Sequence, residues 1–292
     1  MTQPELIADY ACETGENPLW HAAEERLYWA DIPAGRLFWY EPKTGRHQEC
    51  YRGRPIGGFT IQADGALLLF QDRGTVALWR DGKILRTIID ELPDERGTRF
   101  NDVIADPQGR VFCGTMPDSQ RPARLYRLDP DGKISLLLEG IGLSNGLGFS
   151  PDLKHLYYTD SGKRTIDLFD YDQATGQLSN RRNFVTVARA PGEGGPDGLT
   201  VDSHGDIWSA RWDGAAVVRY GPDGKEKERL RLPVPKASSM TFGGSDYTDM
   251  YVTTAGGNQK DKDGPAAGAL FRIPLAQAGV RGVPEFLSRI GI

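Results

Sequence analysis

This chain of 292 residues predicts an all-β fold, a six-bladed β-propeller. Three features carry the prediction: a strand-like run that recurs six times, glycine-marked turns after those runs, and no stretch of helical periodicity between them. The runs are Leu27-Tyr28-Trp29, Leu67-Leu68-Leu69, Val111-Phe112-Cys113, Leu156-Tyr157-Tyr158, Ile207-Trp208-Ser209 and Met250-Tyr251-Val252. Their centres are 40, 44, 45, 51 and 43 positions apart. Each is rich in aromatic, β-branched or leucine side chains and follows a polar turn, the pattern of a short strand.

The elements around each run follow in order. Before it stands an apolar segment ending in Trp20, Ile61, Ala105, Phe149, Val201 or Phe242, then a turn such as Ala63-Asp64-Gly65. After it come another strand and a second turn: Lys43-Thr44-Gly45, Asp81-Gly82, Asp131-Gly132, Ala174-Thr175-Gly176 and Asp223-Gly224. Asp-Gly between apolar runs favours a hairpin, because glycine enters the φ > 0 region without a Cβ clash. The sixth unit is less regular, with Gly279 in the corresponding place. Only about 40 residues follow Tyr251, so the last blade is short of one strand. Leu6-Ile7-Ala8-Asp9-Tyr10 is expected to supply it and close the ring. Residues 1–292 then form a single domain; a β-sandwich joined to a second β-domain is the alternative, and the regular period argues against it.

Composition agrees and removes several function classes. Gly 36 and Pro 19 amount to about a fifth of the chain, which argues for many turns and against a helical bundle. Lys+Arg 35 against Asp+Glu 40 leaves a net charge of −5, with no basic stripe for nucleic acid. The longest apolar run, Ala66-Leu67-Leu68-Leu69-Phe70, is too short to span a bilayer as a helix. The opening residues carry no signal-peptide pattern, and Cys12, Cys50 and Cys113 form no CxxC pair. A cytoplasmic protein with reduced thiols and no membrane partner is expected. His21, His47, His155 and His204 are scattered, so a histidine-rich metal site is not expected. A propeller of this size can stand alone, and a monomer is the default.

One position in the repeat differs chemically from unit to unit. Four residues before each apolar anchor stand Glu16, Gly57, Asn101, Asn145, Asp197 and Ser238. The first strand of a propeller blade lines the central channel, so these positions form a ring around it. Two carboxylates and two amides, without thiol or imidazole, suit a hard divalent cation with oxygen ligands. Any one of them alone could be a turn residue satisfying local backbone groups. Turn chemistry gives no reason for Glu in the set. Arg99 shares the Asn101 side of its strand and can reach a polar substrate, or else form a salt bridge at the channel mouth. Strand alternation sends Asp102 to the opposite side, as partner of a neighbouring loop. Asp31 and Asp160 read as strand-end turn residues, and Trp208 as blade-to-blade packing. Trp212 and the loop from Gly192 to Gly195 could lie near a mouth.

Five motifs in register with the repeat carry a resemblance: Gly15-Glu16-Asn17-Pro18-Leu19-Trp20, Arg99-Phe100-Asn101-Asp102, Gly114-Thr115-Met116, Ser144-Asn145-Gly146-Leu147 and Pro196-Asp197-Gly198-Leu199. In order and over nearly the whole chain, they resemble the gluconolactonase/SMP-30 (regucalcin), LRE-like family. The resemblance implies a six-bladed propeller with one divalent metal in its channel, hydrolysing sugar-acid lactones. It implies Glu16, Asn145 and Asp197 as metal ligands, Arg99 and Asn101 as substrate contacts, and Asp197 also as general base. The metal varies in the family among calcium, zinc, magnesium, manganese and iron. Where some members carry a substrate-contacting Glu after Gly-Thr-Met, this chain has Pro117-Asp118-Ser119, which offers Asp118 instead.

Lactone hydrolysis needs a polarised carbonyl, a deprotonated water and stabilised oxyanion charge, which a divalent ion beside a carboxylate can supply. No Gly-x-Ser-x-Gly elbow is present, so a serine nucleophile is not suggested. Two alternatives stay open: a non-catalytic calcium-binding or scaffold propeller, and a metal-dependent hydrolase of non-sugar esters or lactones. WD40-type repeats are absent, which weakens the scaffold alternative.

Overall fold

The computed structural model describes residues 3–291. It contains six four-stranded antiparallel sheets, each with its strands in consecutive order except the last. The innermost strands are Gly15–His21, Ile56–Ile61, Phe100–Ala105, Ser144–Phe149, Gly195–Val201 and Ala237–Gly243. These are the segments that end in the predicted anchors. Ile56–Ile61, Ser144–Phe149 and Ala237–Gly243 are buried at every residue, whereas the outer strand Lys83–Ile89 is largely exposed. Burial explains why the inner strands lack Lys and Arg, their polar residues being gathered at the ring position and its neighbours, whereas outer strands such as Lys83–Ile89 and Glu226–Arg231 carry Lys, Arg and Glu.

Glycine reaches φ > 0 at each of the five predicted second turns, with values of 70°, 81°, 84°, 69° and 76° at Gly45, Gly82, Gly132, Gly176 and Gly224. Aromatic strand centres pack one blade against the next. Phe70 meets Phe100 edge-on at 5.2 Å, Phe112 meets Phe149 at 5.9 Å, and Trp208 meets Phe242 at 6.1 Å. Such pairs add directional preference to the apolar area they bury. Asp31 and Asp160 are buried at strand ends, where they accept the N–H groups of Thr14 and of Gly142 and Leu143.

The ring closes as the sequence predicts. Glu5–Asp9 pairs with Ala269–Pro274, completing the sheet of Ala237–Gly243 and Asp249–Thr254. Because that place is filled, the chain does not turn back into a hairpin at Gly279. It leaves the sheet there, after a short turn of 3-10 helix over Ala276–Ala278. The segment that follows crosses one end of the channel. Arg281 accepts the Ser203 N–H and Gly282 donates to Tyr247, on the fifth and sixth blades. Ser288 donates to Ile61 and accepts from Ala63, Arg289 donates to Gly109, and Gly291 donates to Pro130, on the second and third. Phe286 lies 6.1 Å from Phe149 of the fourth. Sequence periodicity did not foresee this strap, which belongs to no repeat.

Every inner strand is irregular at the same level. Pairing with the second strand shifts register between Glu16 and Leu19, Ile56 and Gly58, Phe100 and Val103, Ser144 and Leu147, Pro196 and Leu199, and Ala237 and Ser239. The ring position therefore sits in, or at the edge of, a β-bulge in all six blades. Bulges bend a strand and re-aim its side chains.

Candidate active site

At the end of the channel opposite the strap lies a cavity of about 500 Å³. Glu16, Asn101, Asn145 and Asp197 all line it, together with Arg99. The first, third, fourth and fifth blades each contribute one ring residue, as symmetry requires. The other two ring positions are otherwise engaged. A Cβ on Gly57 would stand 1.9 Å from the Phe100 carbonyl oxygen, so only glycine permits the second and third blades to approach so closely. Ser238 donates its hydroxyl to the Gly15 carbonyl, tying the sixth blade to the first.

The polar groups are oriented by hydrogen bonds that run from blade to blade. Arg99 Nη1 donates to Asn101 Oδ1 at 2.7 Å and to the Phe100 carbonyl at 2.8 Å. Asn101 Nδ2 donates to Asn145 Oδ1 at 2.7 Å and to the Ser144 carbonyl. Asn145 Nδ2 donates to Ser161 Oγ at 2.8 Å, and Ser161 Oγ donates to the Pro196 carbonyl at 2.6 Å. On the first blade Glu16 Oε2 accepts the N–H of Asn17. Asn17 itself holds a left-handed φ of 49° and bonds both backbone groups of Phe59 with its amide, at 3.2 Å each.

Charge in this region is unbalanced. Burial pushes the Glu16 carboxyl well above its ordinary value, and repulsion from Asp102 and Asp197 adds to the shift. Asp197 is raised by burial and then by Asp102, with Arg99 opposing. Asp102 is pushed up to about 7 by burial. Burial lowers the Arg99 guanidinium, against the pull of the three acids. Three carboxylates thus face one guanidinium inside the protein, an excess of negative charge that favours protons or a cation.

Asp102 departs from the alternation expected of it. The bulge between Phe100 and Val103 breaks the two-residue period, and Asp102 turns to the channel instead of a neighbouring loop. It lines a smaller cavity of about 90 Å³ between the site and the strap, shared with Ser239, Thr241 and Glu285. Its Oδ1 is buried without a hydrogen-bond partner. Asp118 does not line the large cavity. Its Oδ1 accepts the N–H groups of Gln120 and Arg121, closing the turn at that loop's tip.

Sequence reasoning singled out Trp212 and the Gly192–Gly195 loop without a position. Trp212, Gly194 and Gly195 are wall residues of the cavity, with Ile32, Met116 and Leu143. Arg164 holds the loop by donating to the carbonyls of Val187, Ala188 and Gly194. Lys236 stands 5.8 Å from the centre of the Trp212 ring and is itself ion-paired to Asp263. Neither Ser161 nor Arg164 belongs to a motif or repeat position, so no sequence signal marked them.

Among the described residues, no three His, Cys, Asp or Glu side chains cluster closely enough to hold an ion by themselves. A cation here would need amide oxygen as well. That is the chemistry the cavity offers: Glu16 and Asp197 carboxylates with an Asn145 oxygen whose amide nitrogen is committed elsewhere. The all-oxygen donor set and the excess negative charge fit a hard divalent ion.

Comparison with known proteins agrees with the geometry. Residues 14–256 match the SMP-30/gluconolactonase/LRE-like region. Pentonolactonase XacC of Haloferax volcanii is 47% identical over 97% of both chains, and human regucalcin is 34% identical over 97% of both. A solved structure of the calcium-binding protein regucalcin from Agrobacterium tumefaciens superposes with a TM-score of 0.86 at 25% identity, covering 99% of this chain and 98% of that one. A family match over residues 14–256, with a relative 47% identical over nearly the whole length, means that this chain belongs to the SMP-30/gluconolactonase/LRE-like family.

Proposed function

We propose that the large cavity hydrolyses the lactone of a sugar acid to the open-chain acid, with one divalent cation held by Glu16, Asn145 and Asp197. The chain is a lactonase, a carboxylic ester hydrolase, as its family and its 47% identity to a pentonolactonase indicate. The observation that carries the site assignment is the convergence of Glu16, Asn101, Asn145, Asp197 and Arg99 on one cavity from four different blades. A bound divalent ion would polarise the lactone carbonyl and offset the charge that develops on its oxygen.

The protein's own groups supply the rest. Arg99 spends Nη1 on Asn101 and Phe100; among the described residues its Nε and Nη2 make no hydrogen bond and are available to substrate oxygens. Together with Asn101 it orients the ring for attack from the Asp197 side. Asp197 accepts the proton of the attacking water. Its burial makes it a stronger base than a free carboxylate, and a neighbouring cation moves it back toward ionisation. The cavity wall of Ile32, Met116, Leu143 and Trp212 suits the C–H face of a small sugar ring. Neutral hydroxylated rings fit this mixture of apolar wall and hydrogen-bonding floor better than a bulky apolar ester does.

A pH-indicator assay tests the proposal. Protein stripped with chelator is offered xylono-, arabino-, galactono- and gluconolactone, with calcium, magnesium, manganese, zinc or iron(II) restored one at a time. Spontaneous opening is subtracted. The expected result is cation-restored hydrolysis, greatest on a five-carbon lactone given the pentonolactonase likeness. Cation binding without acceleration on any lactone would instead favour a binding propeller.

A further inference from the structure

We propose that Ser161 is a positioning residue: its hydroxyl, working with Asn101 on the other side, fixes which end of the Asn145 amide faces the cavity. The inference rests on the cation site proposed above. Its basis is the polarity of the hydrogen-bond chain from Arg99 through Asn101, Asn145 and Ser161 to the Pro196 carbonyl. A guanidinium can only donate and a carbonyl can only accept. The three groups between them could each, taken singly, be reversed: two amides by a flip and a hydroxyl by rotation. Taken together they have one arrangement. Arg99 demands the oxygen of Asn101, Asn101 then presents its nitrogen to the oxygen of Asn145, and Asn145 must give its nitrogen to Ser161. The Pro196 carbonyl takes the serine proton and leaves the serine oxygen free to accept.

Two consequences follow. Asn145 has an N–H committed to Ser161 and its oxygen at the other end of the amide, where it accepts from Asn101 and keeps a second lone pair for an ion. Ser161 also joins two of the proposed ligands, since it accepts from Asn145 on the fourth blade and donates to the residue immediately before Asp197 on the fifth. Ser161 lines the cavity beside them. Partners of this kind, which touch the ligand and not the ion, set both ligand orientation and affinity.

Calcium and manganese titrations by calorimetry, on chelator-stripped protein, test the role without relying on turnover. Ser161→Ala is expected to weaken cation binding about tenfold or more, and Ser161→Thr, which keeps the hydroxyl, to stay within about threefold of wild type. Circular dichroism checks that each variant is folded. Ser161→Cys keeps the volume with a poor acceptor and takes the place of the alanine variant if that one does not fold. The decisive arm uses Asn145→Asp. A carboxylate has no wrong end, so adding Ser161→Ala to Asn145→Asp should change cation affinity by less than about twofold. Wild-type affinity in Ser161→Ala, or an equal loss in both backgrounds, would overturn the positioning role while leaving the cation site intact. Failure of the wild-type protein to bind either ion would overturn the site and, with it, this inference.

Discussion

The two ends of the channel are built from the same six inner strands and do opposite things. At the open end, Glu16 and Asp197 are buried and Arg99 half-buried, with unlike and like charges crowded together beneath the apolar wall of the cavity. At the other end, the strap inserts Phe286 and Ile290 among apolar side chains of the second, third and fourth blades and bonds its backbone to the second, third, fifth and sixth. One end gathers buried charge at the expense of electrostatic comfort; the other ties blades together. Symmetric repeats supply a frame, and asymmetry at a few positions on each rim decides its use.

Substitutions that exchange these roles should give the largest effects. Asp197→Asn or Glu16→Gln should lower lactone hydrolysis by more than about a hundredfold, exceeding what outer-shell partners of a metal typically cost. The cation-free variants should melt no lower than wild type, because a buried like-charge contact is relieved. Steady-state rates and a thermal melt on the same sample check both halves; a folded Asp197→Asn variant with wild-type rates would remove this end of the comparison. Ile290→Ala is the converse. It should cost roughly 2–4 kcal/mol of stability for a buried isoleucine, seen in denaturant unfolding, with kcat per folded molecule unchanged.

Glu285 sharpens the contrast between the ends. Burial at the strap raises its carboxyl, and its hydrogen bond from Thr241 offsets the shift only in part. The folded state therefore holds the proton more tightly than the unfolded chain does. Stability from this group is fully present below the ordinary glutamate range and is lost as pH rises through the raised value. Glu285→Gln should flatten the pH dependence of melting above about pH 4.5 and raise the melting temperature at neutral pH, without moving KM. The smallest effect is expected at Asp118, whose carboxylate is committed to the turn through Gln120 and Arg121. Asp118→Ala should alter KM by less than about twofold; a tenfold rise would return this loop to the binding site.

Much of this frame is legible in the residues, because six repeats of a strand-turn pattern leave few alternatives. The closing strand at Glu5–Asp9 could be inferred from a missing quarter of the last blade. The ring of Glu16, Asn101, Asn145 and Asp197 could be read because the repeat supplies its own alignment. Asp102 was misdirected for a local reason. A two-residue alternation was carried through a position where every blade is bulged, and only pairing register reveals the bulge. The strap and Ser161 were invisible for a different reason: both work through backbone carbonyls, which every residue possesses and no motif records.

Closing the ring with Glu5–Asp9 also bears on how the protein comes into being. Glu5 pairs with Arg272, 267 positions away, whereas the other strand pairs join near neighbours along the chain. Relative to a ten-residue hairpin, that closure costs about 3 kcal/mol more in chain entropy, at roughly 0.6 kcal/mol per doubling of length. The blades can form one after another during synthesis, but the circle stays open until Ala269–Pro274 has emerged. A circular permutant that begins between the third and fourth blades would make this slow final join local in sequence, through a loop that contains the strap. It should reach the native state faster, with the same channel at its centre.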